Sequence, residues 1–190
     1  MTEALLADLS NPLHANATLY LLNEYAKDEM GGGEALDAHV QLNLISELRK
    51  RPGIHVVLAF ADQQPAGLAI CIEGFSTFAC KPLLNIHDLA VVPAFRGQGL
   101  ARKLLARVEA LALELGCCKL TLEVLEGNQV AKAAYRSFGF AGYELGSASG
   151  KVRHVRCDAQ GDVYAVGEGP YQASIPGPYL LLAKLSSAGN

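Results

Sequence analysis

Between Asp88 and Leu115 the chain reads DLAVVPAFRGQGLARKLLARVEALALEL. An apolar run ends at Pro93, and two glycines and two arginines follow: Arg96, Gly97, Gly99 and Arg102. Leu100, Leu104, Val108, Leu111 and Leu115 then recur at helical spacing. The pattern demands a strand, a tight turn and a helix in immediate succession. A helix N-terminus exposes unpaired N–H groups and a partial positive charge, which together favour an anion. Glycine lets the backbone turn sharply and approach that anion, and arginine adds charge-assisted hydrogen bonds. The junction therefore reads as a phosphate cradle, against the plainer alternative of an ordinary strand-to-helix loop.

The rest of the chain alternates helix and strand patterns. Asn11 and Pro12 open a helix that runs toward Met30 and stops at Gly31–Gly33. Leu36, Val40, Leu44 and Leu48 mark a second helix ending before Pro52. Ile54–Ala61, Leu68–Phe75 and Leu83–Val92 read as strands, the first two joined as a hairpin through DQQPAG. KLTLEVLE alternates cleanly as a further strand, and Asn128 can cap a short helix carrying Val130, Ala134 and Phe138. FAGYEL and Tyr179–Leu185 read as the last strands. With 190 residues, 51% of them hydrophobic, one domain spanning 1–190 can bury a full core without disulfides or metals.

Charge and cysteine usage exclude several functions. The net charge of −3 argues against a nucleic-acid partner, which needs a basic face. The five cysteines (Cys71, Cys80, Cys117, Cys118, Cys157) form no CxxC pair, so they read as free thiols rather than a disulfide framework or a zinc site. No metal is expected. The first residues lack a basic segment followed by an apolar core, and no apolar run reaches membrane-spanning length. A soluble cytoplasmic protein is the expectation.

Known phosphate motifs can be tried on the cradle. GxxxxGK[ST] finds no match. GxGxxG fails at its third glycine, where Arg102 stands. R-x-x-G-x-A does match, at Arg96, Gly99 and Ala101. This segment resembles the acetyl-CoA-binding motif of the GNAT superfamily of N-acetyltransferases. The strand before it, with its V-x-P-x-x-R-G ending, and the later Asn128, Ala131, Tyr135, Gly139 and Phe140 of NQVAKAAYRSFGF resemble two more signatures of that family. The resemblance runs from about Ile54 to Leu145. It implies an α/β fold: a mixed, mostly antiparallel sheet with helices on both faces.

The resemblance also implies a binding mode. The pyrophosphate of coenzyme A would lie on the amides of Gln98, Gly99, Leu100 and Ala101, with Arg96 and Gly97 shaping the turn. The pantetheine arm would run along Leu89, Ala90 and Val91 like an added strand, which requires the two central strands to splay. Asn128 would sit near the coenzyme or serve only as a helix cap. Arg102, Lys103, Lys132 and Arg136 are candidates for the adenosine phosphates.

Acyl transfer from a thioester to an amine needs a deprotonated amine, donors for the oxyanion and a proton for the departing thiolate. A lysine-like amine has a reference pKa of about 10.4, so a base helps. A backbone N–H at Leu89–Val91 could serve the oxyanion. Tyr135 is the candidate acid, since a phenol stays protonated at neutral pH. The base is sought in NIHDLAV, where strict alternation puts Asn85, His87 and Leu89 on one side of a strand and Asp88 on the other. His87 and Asp88 are the candidates, with Glu73 and Glu123 as alternatives. The stretch from Phe75 to Gly99 is similar to diamine acetyltransferase-like members, but His87 replaces one acid of their acidic pair.

The expectation is direct acetyl transfer from acetyl-CoA to a primary amine, with a diamine, polyamine or amino-acid side chain favoured as a small-molecule acceptor. A protein N-terminus or lysine, or a non-catalytic acyl-CoA-binding module, are the alternatives. Residues 146–178 depart from the family pattern. Within them KVRHVRC and DVYAVGE flank DAQG, and read either as a surface loop or as a hairpin beside the acceptor cleft or against a second copy in a homodimer.

Overall fold

The computed structural model describes residues 2–125 and 127–142, and the backbone of the strands at 152–157, 163–167 and 179–185. The chain divides into two compact units, residues 2–120 and 121–185.

The first unit is built on four antiparallel strands: β1 (Thr2–Leu6), β2 (Ile54–Ala61), β3 (Gln64–Ser76) and β4 (Lys81–Val91). Helices α1 (Pro12–Lys27) and α2 (Ala38–Arg49) cover one face, and α3 (Leu100–Glu114) covers the other. Ala17, Leu21 and Leu48 from the first two helices bury against Val56, Leu58, Leu68 and Ile70. On the α3 side Leu100, Leu104, Val108 and Leu111 of the expected stripe are buried, joined by Leu105, while Leu115 is the half-buried C-cap beyond the helix. Truncating a fully buried leucine such as Leu104 to alanine costs about 2–5 kcal/mol by lost transfer energy and cavity formation. The expected class therefore holds, α/β with a mostly antiparallel sheet and helices on both faces.

Three local departures bear on the site. Strand β1 was not anticipated. Helix α1 stops at Lys27 rather than Met30, because Asp28 turns to extended backbone (φ −68°, ψ 147°) and a 3-10 turn follows at Glu29–Gly31. And β4 carries a bulge. Leu89 pairs with Ala69 and Asp88 with Ile70, but Ile86 pairs with Cys71, so His87 is an extra residue with no partner in the register.

The second unit contains β5 (Lys119–Leu125), α4 (Gln129–Phe138), β6 (Ala141–Gly142), β7 (Val152–Cys157), β8 (Val163–Gly167) and β9 (Tyr179–Leu185). Strand β9 lies between β5 and β6, while β7 and β8 pair antiparallel as a separate two-stranded sheet. The hairpin reading of KVRHVRC and DVYAVGE is thus the one the backbone adopts. The side chains of Lys151, Arg153, His154 and Arg156, and the part of FAGYEL after Gly142, lie outside the described residues. In α4 Ala134 and Phe138 of the expected apolar face are half-buried, but Val130 is 84% exposed and Tyr135 is the buried side chain.

Candidate active site

The cradle is formed as the glycines require. Gly97 and Gly99 adopt φ of 75° and 77°, a left-handed conformation that costs a side-chain-bearing residue about 1–2 kcal/mol. A Cβ at either position would meet no protein atom within 4 Å, so both face open space. Gly99 is the N-cap of α3 and supplies no side-chain cap, and the first turn holds no acidic residue. Its amides and partial positive charge are therefore available to an anion. Leu100, buried at the helix start, anchors this end to the core. The residues fit the pyrophosphate of coenzyme A: Gln98, Gly99, Leu100 and Ala101 would hold it through backbone amides.

The bulge at His87 resets the alternation of β4. Residues directly opposite one another in an antiparallel pair share a face. Leu89 therefore shares a face with Ala69 and, on the other side of the bulge, Ile86 with Cys71. Asp88 joins Ile70 on the face covered by α1 and α2, and Asn85 joins Ile72. This corrects the strict alternation at Asn85, which shares the face of Asp88 rather than that of Leu89, while Asp88 and Leu89 stay on opposite faces as alternation predicts. His87 is exposed, whereas Asp88 is half-buried. Burial raises the Asp88 pKa above the usual carboxylate value, and the neighbouring His87 charge opposes that rise. Burial also pushes the Cys71 thiol up to about 12, with the Asp88 charge adding to the effect.

The edge of β4 is set by the same register. Val92 N–H donates to Ala66 O, so alternation turns the backbone groups of Leu89 and Val91 away from β3. Arg96 Nε donates to Val91 O at 3.0 Å, and its Nη2 donates to Asp28 Oδ2 at 2.7 Å. Arg96 thus ties the turn to Val91 and to Asp28. A narrow cleft lies on the α1 side of the sheet, between Leu21, Glu24 and Tyr25 of α1 and Leu68, Ala90, Val91 and Arg96. A larger cavity of about 290 Å³, lined by Asp8, Leu48, Arg49 and Ile54 among others, shares no residue with β4 or the cradle.

In the second unit, Asn128 caps α4 by accepting from the Ala131 amide at 3.0 Å. Tyr135 is 7% exposed and its ring meets Phe140 edge-on at 5.9 Å between centroids. Lys132 lies on the first turns of the same helix. Of the other phosphate candidates, Lys103 is committed elsewhere: its Nζ donates to the Thr2 carbonyl at 2.9 Å and to the Thr2 hydroxyl. Glu73, an alternative base, pairs with His55 Nε2 at 2.5 Å. Among the described residues no group of three or more His, Cys, Asp or Glu is placed to hold a metal ion, and no helix is long and apolar enough to cross a membrane. Sequence reasoning missed Asp28, because nothing local signals a partner 68 positions away from Arg96.

The family model for the acetyltransferase (GNAT) family matches residues 18–140. The chain belongs to that family. It is an N-acetyltransferase that draws on acetyl-CoA, the family's co-substrate. A thialysine N-epsilon-acetyltransferase of Caenorhabditis elegans is 31% identical over 127 residues, covering 65% of this chain and 75% of that protein. The bovine protein of the same name is 30% identical over 120 residues, 62% of this chain and 64% of its own length. Among solved structures, a probable acetyltransferase superposes with a TM-score of 0.66 at 23% identity, covering 77% of this chain and 94% of that one. That likeness attests the GNAT fold.

Proposed function

We propose that this GNAT protein acetylates a primary amine on a small molecule, with an amino-acid side-chain amine as the preferred acceptor. The observation that carries the acceptor class is the similarity to two proteins named for acetylating the ε-amine of thialysine. The diamine and polyamine options remain in the same class, since each offers a primary ammonium on a flexible aliphatic chain.

The chemistry follows from the residues. The acetyl carbonyl sits at Leu89–Val91, whose backbone groups face away from β3, and a backbone N–H there donates to the oxyanion. Asp88, on the α1 and α2 face, takes the ammonium proton directly or through one water. A carboxylate with a raised pKa is the better base for that task. The amine nitrogen then attacks the carbonyl carbon, the C–S bond breaks, Tyr135 donates its phenolic proton to the thiolate, and the second proton shed by the nitrogen as it becomes an amide returns to the phenolate through water. His87 tunes Asp88 through its charge. The cysteine beside the site is a poor rival nucleophile: with a pKa of about 12, the Cys71 thiol stays protonated at neutral pH. An acyl-enzyme on Cys71 is thereby disfavoured, which supports direct transfer to the amine.

The test is acetyl-CoA turnover against a panel of amines: thialysine, lysine, ornithine, a diamine, a polyamine and a peptide with a free N-terminus. Thialysine or lysine should give the highest kcat/KM. Turnover confined to the peptide would overturn the small-molecule reading, and acetyl-CoA binding without turnover on any acceptor would indicate a binding module.

A further inference from the structure

Asp28 uses every polar group it has. Its N–H donates to Tyr25 O at the end of α1, and its carbonyl accepts from Gly31 N at 2.8 Å and Gly33 N at 3.0 Å. Its Oδ1 accepts from Met30 N at 3.0 Å, and its Oδ2 takes the Arg96 guanidinium at 2.7 Å. The turn is wound so tightly that a Cβ at Gly31 would stand 1.9 Å from Tyr25 O. Residues 28–33 therefore form a single knot around one aspartate. Arg96 ties that knot to the end of β4 through Val91 O.

Global stability does not explain this arrangement. The Arg96 side chain is 54% exposed and that of Asp28 22%, and such an ion pair contributes about 0–1 kcal/mol. What the pair does fix is local geometry. It joins the two walls of the cleft, one from α1 (Leu21, Glu24, Tyr25) and one from β4 (Ala90, Val91). Arg96 itself lines that cleft.

We infer that Asp28 is a positioning residue for the acceptor amine. Through Arg96 it holds the end of α1 and the α1–α2 turn against the end of β4, and so sets the spacing of the cleft beside Ala90 and Val91. The inference rests on the acetyl-transfer reading above, since it places the reacting carbonyl at that end of β4. It gives Arg96 a different task from phosphate binding: a guanidinium already committed to Val91 O and Asp28 acts on the cradle by shape.

The test uses three variants of the full chain: Asp28→Asn, Arg96→Gln and the double variant. Asparagine keeps an oxygen for the Met30 amide and loses the charge that holds Arg96. Acceptor KM should rise about tenfold in Asp28→Asn, the scale expected when a positioned group shifts by a fraction of an ångström. Its acetyl-CoA affinity by calorimetry should change less than about twofold. The double variant should be no worse than the poorer single, the mark of two residues acting as one unit. Hydrogen exchange at Gly31 and Gly33 should accelerate in both single variants. An unmoved acceptor KM, an equal loss of acetyl-CoA affinity in Asp28→Asn, or additive effects in the double variant would each overturn the inference. Should Asp28→Asn not fold, Arg96→Gln alone decides by its acceptor KM. A wild-type protein that acetylates no amine would instead overturn the acetyl-transfer reading on which the inference stands.

Discussion

Tyr135→Phe keeps the ring and its edge-on contact with Phe140 and removes one proton. Acetyl-CoA affinity should persist while kcat falls by on the order of 10²-fold, the lower range of a general acid's contribution. Full kcat in that variant would assign the thiolate's proton to water. Asp88 makes a prediction of opposite kind. Its folded pKa lies above its unfolded value, so the folded state binds the extra proton more tightly. The stability this confers is complete below the ordinary carboxylate pKa and is lost as pH rises through the folded one. Asp88→Asn removes that loss. It should melt at a higher temperature than the wild type at about pH 8 and at the same temperature at about pH 3, while turnover collapses. Equal melting points at both pH values would show that Asp88 is not held in a costly state. Gly99→Val should weaken acetyl-CoA binding more than about tenfold. Gly116→Val is its control, for Gly116 has a similar φ of 69° and equally open space but lies outside the cradle. The two should lose similar stability, about 1–2 kcal/mol, and only the first should lose the coenzyme.

Helix α4 shows how an element can be legible while part of its face is not. Asn128 was read as its cap and Gly139 as its stop, and both hold. Replacing Asn128 by alanine should cost about 1 kcal/mol of unfolding free energy, and serine should restore most of it. Were Asn128→Ser to lose coenzyme affinity as well, the side chain would have a role beyond capping. Only Val130 departs from the apolar face, because it sits in the first turn of a ten-residue helix, where three apolar positions define a stripe poorly. The cradle and α3 are legible because turn glycines and a five-residue apolar stripe, four leucines and Val108, carry local, redundant signals. Strand β1 was not, because TEALL holds no clean alternation and its pairing with β2 is made across some 50 residues. The bulge at His87 was invisible for a related reason. A one-residue bulge appears only against its partner's register, yet it decides that Asn85 shares the face of Asp88.

At the scale of the whole molecule, the segment that departs from the family pattern has the structure that asks for an explanation. Strands β7 and β8 form a two-stranded sheet of their own, from Val152↔Gly167 to Cys157↔Val163. A two-stranded hairpin of this size is at best marginally stable by itself in water, and β7 also lies against β9 of the same unit, so the open question is what else the hairpin meets. The cradle belongs to the first unit and the hairpin to the second. Replacing Lys151–Gly177 with a short Gly-Ser turn should therefore leave acetyl-CoA affinity unchanged, since no residue of the cradle is touched. Two further readouts decide what else the hairpin meets. A rise in acceptor KM would mean that it borders the acceptor path, and a fall in solution mass by light scattering would mean that it meets a second copy of the chain. One of the two is the expected result. If acceptor KM and mass both stay at wild-type values, the hairpin serves neither the acceptor nor a second copy, and the role proposed for it here is wrong.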